Sequence, residues 1–393
     1  MRGGRRPGPR SPADAADQRF MRRALALAER GRGSTRPNPV VGAVIVRAGR
    51  LLAAGFHRRA GAPHAEIEAL TALQRAGGDA RGATLYVNLE PCCHVGRTGP
   101  CSDAIIAAGF ARVVVACRDP NPQVNGRGLR ALRRAGVSVD VGCLAAQALA
   151  ANRAFFVWIT RRRPLVTVKA AATLDGFIAP RVRPKRRAPV WLTGDDARRV
   201  AHELRGQHDA VLVGAGTVAA DDPLLTVRLA SRKRPRAGQP LRIVLDGRLR
   251  TSPRARVLAG SAAGAATVVV GAVGAPAVRA RGLARAGATV ALLRARAGRV
   301  PLLGLLRWLA ARDIQSVLVE GGADVLGAFI DARLVDRVAI FVAPRLLGGG
   351  VPLAAGVGAA ISDSLRLGPI AVRSVGDDLL LTADVIARVP GGP

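Results

Sequence analysis

Two short segments in the first third of the chain carry side chains whose types and order could do chemistry together. His64 and Glu66 stand in Pro63-His64-Ala65-Glu66, and Cys92 and Cys101 stand in the stretch that begins Glu90-Pro91-Cys92-Cys93. One imidazole and two thiolates bind Zn²⁺ tetrahedrally, and three protein ligands leave the fourth position open, which marks a catalytic rather than a structural zinc. An ion held in that way lowers the pKa of water toward neutrality and supplies a nucleophile that side chains alone do not. Glu66, two residues past the histidine, is then placed to carry protons.

The order H-x-E, then P-C, then a further Cys is the pattern of zinc deaminases, in which the Glu is general acid and base rather than ligand. One spacing differs, because Cys92 and Cys101 are separated by eight residues where two are usual. Cys93 offers a rival thiol; Cys92 is favoured because it directly follows Pro91. Cys117 and Cys143 lie in apolar stretches and read as core, the ordinary place for a free cysteine.

These residues need elements to hold them. Residues 40–46 read as a buried strand, and 66–76 as a helix with Ile67, Leu70 and Leu73 on one face. Residues 84–89 form a strand running into Pro91, and 102–108 a second helix. His64 and Glu66 therefore fall at a helix start, with Cys92 and Cys101 bracketing a strand-to-helix loop. The partial positive charge of helix N-termini favours thiolate there.

A chain of 393 residues exceeds the size at which one core keeps growing, so two domains are expected. Strand and helix patterns alternate through residue 144, and Arg161-Arg162-Arg163-Pro164 reads as a linker. The division expected is a disordered basic tail over 1–16, a first domain over 17–160 and a second over 161–393. No apolar run reaches the ~18 residues of a membrane span, and the first dozen residues lack the apolar core of a secretory signal. Five cysteines, three of them near the metal site, make no disulfide framework. A soluble protein of the reducing cytoplasm is expected.

The formal net charge of +33 invites a nucleic-acid partner. Only Lys169, Lys185 and Lys233 are lysines, so the charge is nearly all arginine in a chain equally rich in Ala, Gly and Pro. That set reflects composition bias. Aromatics make up 3% and do not interleave with the basic runs, so base-stacking platforms are not evident and nucleic acid is not the expected partner. The charge does suit an anionic substrate.

The second half carries strand patterns near 165–169, 210–213, 241–245, 266–270, 316–319, 338–342 and 379–381. Runs of β-branched residues separated by helical segments imply a mostly parallel sheet covered on both faces. In Glu320-Gly321-Gly322-Ala323-Asp324 a strand ends, glycines permit close approach and a helix begins, an arrangement that binds phosphate. On residues alone a plain turn explains it equally well. Asp221-Asp222-Pro223 is turn chemistry as much as a polar site.

With both halves on the page, the chain resembles the bifunctional riboflavin-biosynthesis deaminase/reductase family. The matching segments are 38–42, 63–66, 90–101 and 119–122 in the first half. In the second they are 173–176, 191–193, 217–228, 320–322 and 343–348, so the resemblance runs in order from about 17 to 386. It implies an α/β protein with an N-terminal cytidine-deaminase-like domain and a C-terminal dihydrofolate-reductase-like domain. The first would remove the 2-amino group of 2,5-diamino-6-(5-phosphoribosylamino)pyrimidin-4(3H)-one, and the second would use NADPH to open the ribosyl group to ribityl.

Carried over by residue, the resemblance implies Zn²⁺ on His64, Cys92 and Cys101, with Glu66 catalytic. NADPH contacts would fall on Ala172, Trp191, Thr217, Asp221 and the run Gly322, Ala323, Asp324, Val325, Leu326, Gly327 and Ala328. Contacts to the phosphorylated pyrimidine would fall on Arg205, Leu225, Arg228 and Glu320. Guanidinium forks suit a phosphate monoester, and Lys169, near the same strand end, is expected to polarise the reacting centre. A homodimer with no membrane partner is expected. One position departs from the family: its substrate-side Ser is Pro189 here, within a basic loop over 181–187. Losing one buried hydrogen bond costs about 1–3 kcal/mol, enough to slow reduction rather than abolish it. Two rival readings are a deaminase whose second half is repurposed and a nucleic-acid deaminase; NADPH binding and salt-sensitive binding to single strands discriminate them.

Overall fold

The computed structural model describes residues 12–94, 99–181, 191–229, 238–259, 264–295 and 299–386. It divides after Arg161 into two compact units. Among the described residues no helix is long and apolar enough to cross a membrane.

The first unit runs α1 (Pro12–Glu29), β1 (Gly42–Arg47), β2 (Arg50–Phe56), α2 (Ala65–Arg75), β3 (Thr84–Val87), α3 (Cys101–Ala107), β4 (Arg112–Val115), α4 (Arg127–Arg134), β5 (Ser138–Val141), α5 (Ala145–Ala151) and α6 (Arg153–Arg161). Its sheet has the order β2-β1-β3-β4-β5, antiparallel across β2, β1 and β3 and parallel from β3 to β5. Helix α1 begins at Pro12, inside the stretch expected to be disordered tail. Phe20, Met21, Ala24, Leu25 and Ala28 bury one of its faces, and Asp17 accepts from both Arg112 and Tyr86. That apolar stripe is what orders it. Helix α2 packs so closely on β2 that a Cβ on Gly55 would lie 2.5 Å from the Ala69 amide nitrogen. The Ala65 carbonyl, next to His64 at the head of α2, lies 2.8 Å from the same point.

The second unit runs β6 (Leu165–Thr173), β7 (Phe177–Ala179), α7 (Asp195–Gln207), β8 (Ala210–Gly214), α8 (Ala215–Asp221), β9 (Leu241–Leu245), β10 (Thr267–Ala272), α9 (Ala277–Arg285), β11 (Thr289–Leu293), α10 (Leu302–Ala310), β12 (Ser316–Val319), α11 (Ala323–Asp331), β13 (Arg337–Ala343), β14 (Val351–Pro352), β15 (Ala371–Val375) and β16 (Asp378–Asp384). Nine strands form one sheet, β11-β10-β9-β8-β12-β6-β13-β16-β15. The strands from β11 to β13 in that order are parallel, and β16 and β15 close the sheet antiparallel. Val166, Val168, Val317 and Val319 face one apolar core, while Val211, Val213, Val244 and Leu318 face another, so the parallel part is buried on both sides. The edge strand β15 differs, with every residue except Val375 exposed.

The division falls within the run 161–164 that was expected to link the halves, but Arg163 is not a solvated part of it. It is 6% exposed and donates to both oxygens of Asp336, at 2.6 and 2.8 Å. It is an internal tie of the second unit rather than part of a solvated connection.

Candidate functional site

In the first unit, three elements deliver His64, Cys92 and Cys101 to one place. His64 caps α2, Cys101 opens α3, and Cys92 follows the end of β3. His64 Nδ1 lies 3.5 Å from Cys92 Sγ and 3.3 Å from Cys101 Sγ, and all three donor atoms lie within 4.8 Å of one another. Cys93 points elsewhere, toward the Gln123 carbonyl at 3.7 Å. The loop ahead of His64 is held by His57, whose Nδ1 donates to Pro63 O at 3.0 Å while Nε2 accepts from Asn38 at 3.1 Å.

The donor set suits a divalent cation. The Cys101 thiol and His64 hold the Cys92 thiol in its ionised form, whereas the neighbouring Cys92, with burial, pushes Cys101 the other way. Two adjacent sulfurs become thiolates together when a cation lies between them. Glu66, 3% exposed, stands beside this group with Oε2 lacking a partner among the described residues. Burial raises its carboxyl to about 7. A buried acid poised near neutrality, with one oxygen unengaged, suits proton transfer.

In the second unit, Lys169, Arg205, Arg228 and Glu320 form one charged cluster near the carboxyl ends of the parallel strands, the usual ligand side of such sheets. Arg205 donates from Nε and Nη2 to Glu320 at 2.6 and 2.8 Å, and Lys169 Nζ lies 3.7 Å from the same carboxylate. Arg205 Nη1 turns to Thr226 O, and Arg228 Nη1 to Thr226 Oγ1, both at 3.3 Å. The Arg205 fork is thus taken up by Glu320, and of the two guanidiniums Arg228 is the exposed one. His202, one turn before Arg205, accepts the Arg228 amide at 3.3 Å. Sequence reasoning missed it, because a lone His on a helix gives no signal.

A cleft of about 1280 Å³ opens beside α8 and α11. Gly214, Val218, Asp324, Val325 and Ala328 line one side, and Asp246, Arg248, Arg250, Thr251 and Arg254 line the other. Thr217 is close to the head of α11, its Oγ1 3.2 Å from where a Cβ on Gly322 would stand. The arginine side was not anticipated, since in so arginine-rich a chain the run after β9 looks like composition.

Other expected contacts are dispersed. Leu225 is 2% exposed and packs in the core with Val211 and Val218. Ala172 is buried in β6. Trp191 is exposed with the Arg198 guanidinium 4.6 Å above its ring. Asp221 closes α8, and Leu326 and Gly327 are buried within α11. Residues 95–98, and Pro189 with the basic loop from 182, lie outside the described residues.

Residues 14–117 match the cytidine and deoxycytidylate deaminase zinc-binding region, and residues 164–381 match the RibD C-terminal domain. The chain is 41% identical over 365 residues to the riboflavin biosynthesis protein RibD of Aquifex aeolicus, covering 93% of this chain and 97% of that one. It is 41% identical over 342 residues to the RibD of Escherichia coli, covering 84% and 89%. Among solved structures, Acinetobacter baumannii RibD superposes with a TM-score of 0.82 at 36% identity, covering 95% of this chain and 100% of that one. A diaminohydroxyphosphoribosylaminopyrimidine deaminase/5-amino-6-(5-phosphoribosylamino)uracil reductase from Thermotoga maritima gives 0.81 at 35%, with the same coverage.

Proposed function

The chain belongs to the RibD family of riboflavin-biosynthesis proteins, with a deaminase half and a reductase half, and from that premise we propose which side chains carry each reaction. In the first unit His64, Cys92 and Cys101 would hold Zn²⁺. The ion, when bound, supplies the acidified water needed to displace an amino group. Glu66, through the Oε2 that has no partner among the described residues, would take up a proton from the attacking water and pass it to the leaving amine, so that ammonia would depart from C2 of the phosphoribosylated diaminopyrimidine. The observation that carries this reading is the convergence of one imidazole and two thiol sulfurs within 4.8 Å, beside a buried acid.

In the second unit the deaminated product binds with its phosphate toward Arg228 and its reacting end toward Lys169 and Glu320. NADPH supplies the hydride. Lys169, buried against Glu320, polarises the sugar carbon that accepts it. The head of α11 and residues 214–218 form the floor for the dinucleotide, where a helix start favours phosphate. Arg248, Arg250 and Arg254 on the far wall favour a cofactor with a 2′-phosphate, which supports NADPH over NADH.

We propose cytoplasmic function, in keeping with five cysteines that form no disulfide. A homodimer is the proposed assembly, by the prevalence of two-fold symmetry. The test of the whole reading is to give zinc-loaded protein the diaminopyrimidine ribotide with and without NADPH. Ammonia release in both cases, with NADPH oxidation following it, supports the reading; absence of ammonia overturns it.

A further inference from the structure

Of the three side chains directed at the metal, two are anchored by helices, since His64 heads α2 and Cys101 begins α3. Cys92 has no such support, for residues 91–94 belong to neither helix nor strand. Its carbonyl accepts from the Ser102 amide at 3.0 Å and its Sγ from the Cys101 amide at 3.4 Å. Both contacts come from the α3 side. The other side of the segment is held by Glu90, which is 3% exposed and takes four backbone amides on its carboxylate. Oε1 accepts from Gly128 at 3.1 Å and Leu129 at 3.3 Å, and Oε2 from Gly126 at 2.9 Å and Asp119 at 3.3 Å.

Gly128 and Leu129 lie in the first turn of α4, whose amides have no acceptor within the helix. A carboxylate also meets the positive end of the helix there. Contact with the metal segment is direct: a Cβ on Gly128 would stand 2.1 Å from the carbonyl oxygen of Pro91, the residue before Cys92. The start of α4 is therefore held by the Glu90 carboxylate and at the same point packs against Pro91.

We propose that Glu90 is a positioning residue of the metal centre: by clamping the start of α4 and the 119–129 loop, it fixes Pro91 and with it the direction of the Cys92 sulfur. The inference rests on the zinc reading above. Partners behind a metal's ligands are commonly worth about 10- to 100-fold in affinity or activity. Glu90→Gln would set an amide N–H₂ against two of the four donors. Gly128→Ala would instead push directly on Pro91, its Cβ 2.1 Å from the Pro91 carbonyl oxygen and only in ordinary contact, at 3.4 Å, with Glu90 Oε1.

The experiment uses the full chain loaded with Co²⁺, read by its thiolate-to-cobalt absorption and by the rate of metal loss to a chelator. Glu90→Gln and Gly128→Ala are expected to change the spectrum and release metal roughly 10-fold faster or more. NADPH-dependent reduction of the pre-deaminated substrate should stay at the wild-type rate, and the far-UV circular dichroism of the full chain should match wild type, which together show that both units are folded. Leu132→Ala, a buried position in the same helix, serves as the comparison and should lower thermal stability while keeping the wild-type spectrum. Wild-type spectra and release rates in both variants would overturn the inference, as would an equal disturbance from Leu132→Ala. Failure of the unaltered protein to take up cobalt would instead overturn the zinc reading itself.

Discussion

Arg205 engages both oxygens of Glu320 through Nε and Nη2, at 2.6 and 2.8 Å, in a pocket where the two side chains are 14% and 6% exposed. Burial alone would raise the carboxyl, but Arg205 and Lys169 outweigh it and hold it at about 2. Glu320 is therefore a carboxylate at every working pH, fixed in orientation before substrate arrives.

Removing one member of a buried pair strands the other, so Arg205→Ala should cost about 3 kcal/mol in urea unfolding of the second unit. NADPH oxidation should fall at least tenfold in the same variant. Arg205→Lys keeps the charge and loses the fork, and should recover stability more than rate. Equal rates in wild type and Arg205→Ala would show that the pair is ornamental.

His208 is half-buried between Leu204 O, 2.8 Å from its Nδ1, and Thr167 Oγ1, 2.9 Å from Nε2. Burial lowers its pKa to about 4 from an ordinary 6.5. The unfolded chain takes up the proton first, so stability is full above pH 6.5 and falls as pH drops from there through about 4. Between pH 7 and pH 5 this residue should remove about 2 kcal/mol. Urea midpoints of wild type and His208→Gln at the two pH values measure it; the variant should lose correspondingly less, and parallel losses would refute the assignment.

The arginines after β9 should separate the two nicotinamide cofactors. Charge-assisted hydrogen bonds are worth about 1.5–3 kcal/mol, so Arg250→Ala with Arg254→Ala should raise KM for NADPH by about tenfold or more. KM for NADH, which carries no 2′-phosphate, should hardly move. Equal changes for both cofactors would place the 2′-phosphate elsewhere.

What the sequence made legible follows from how local each signal is. The His64, Glu66, Cys92 and Cys101 set could be read because zinc chemistry restricts both residue type and order, and the parallel strands because Val-rich runs such as 210–213 are short and bounded. Glu90 and His202 could not, because their roles arise from partners 29 to 39 and 26 residues away. Pairing of Arg205 with Glu320 across 115 residues was hidden for the same reason. The buried tie from Arg163 to Asp336 looked like linker because an arginine run is ordinarily solvated. The first turn of α1, from Pro12 to Ala16, was hidden in a tail that opens on Arg, Gly and Pro, while the apolar stripe from Phe20 to Ala28 that orders the helix lies beyond that tail.

The most direct measurement is on Glu66→Gln, zinc-loaded, assayed separately for ammonia release from the diaminopyrimidine ribotide and for NADPH oxidation with the pre-deaminated substrate. A positioned general acid and base is worth about 10²- to 10⁴-fold. The account predicts a loss of that size in ammonia release with zinc retained and reduction at the wild-type rate. Ammonia release within a few-fold of wild type would contradict it.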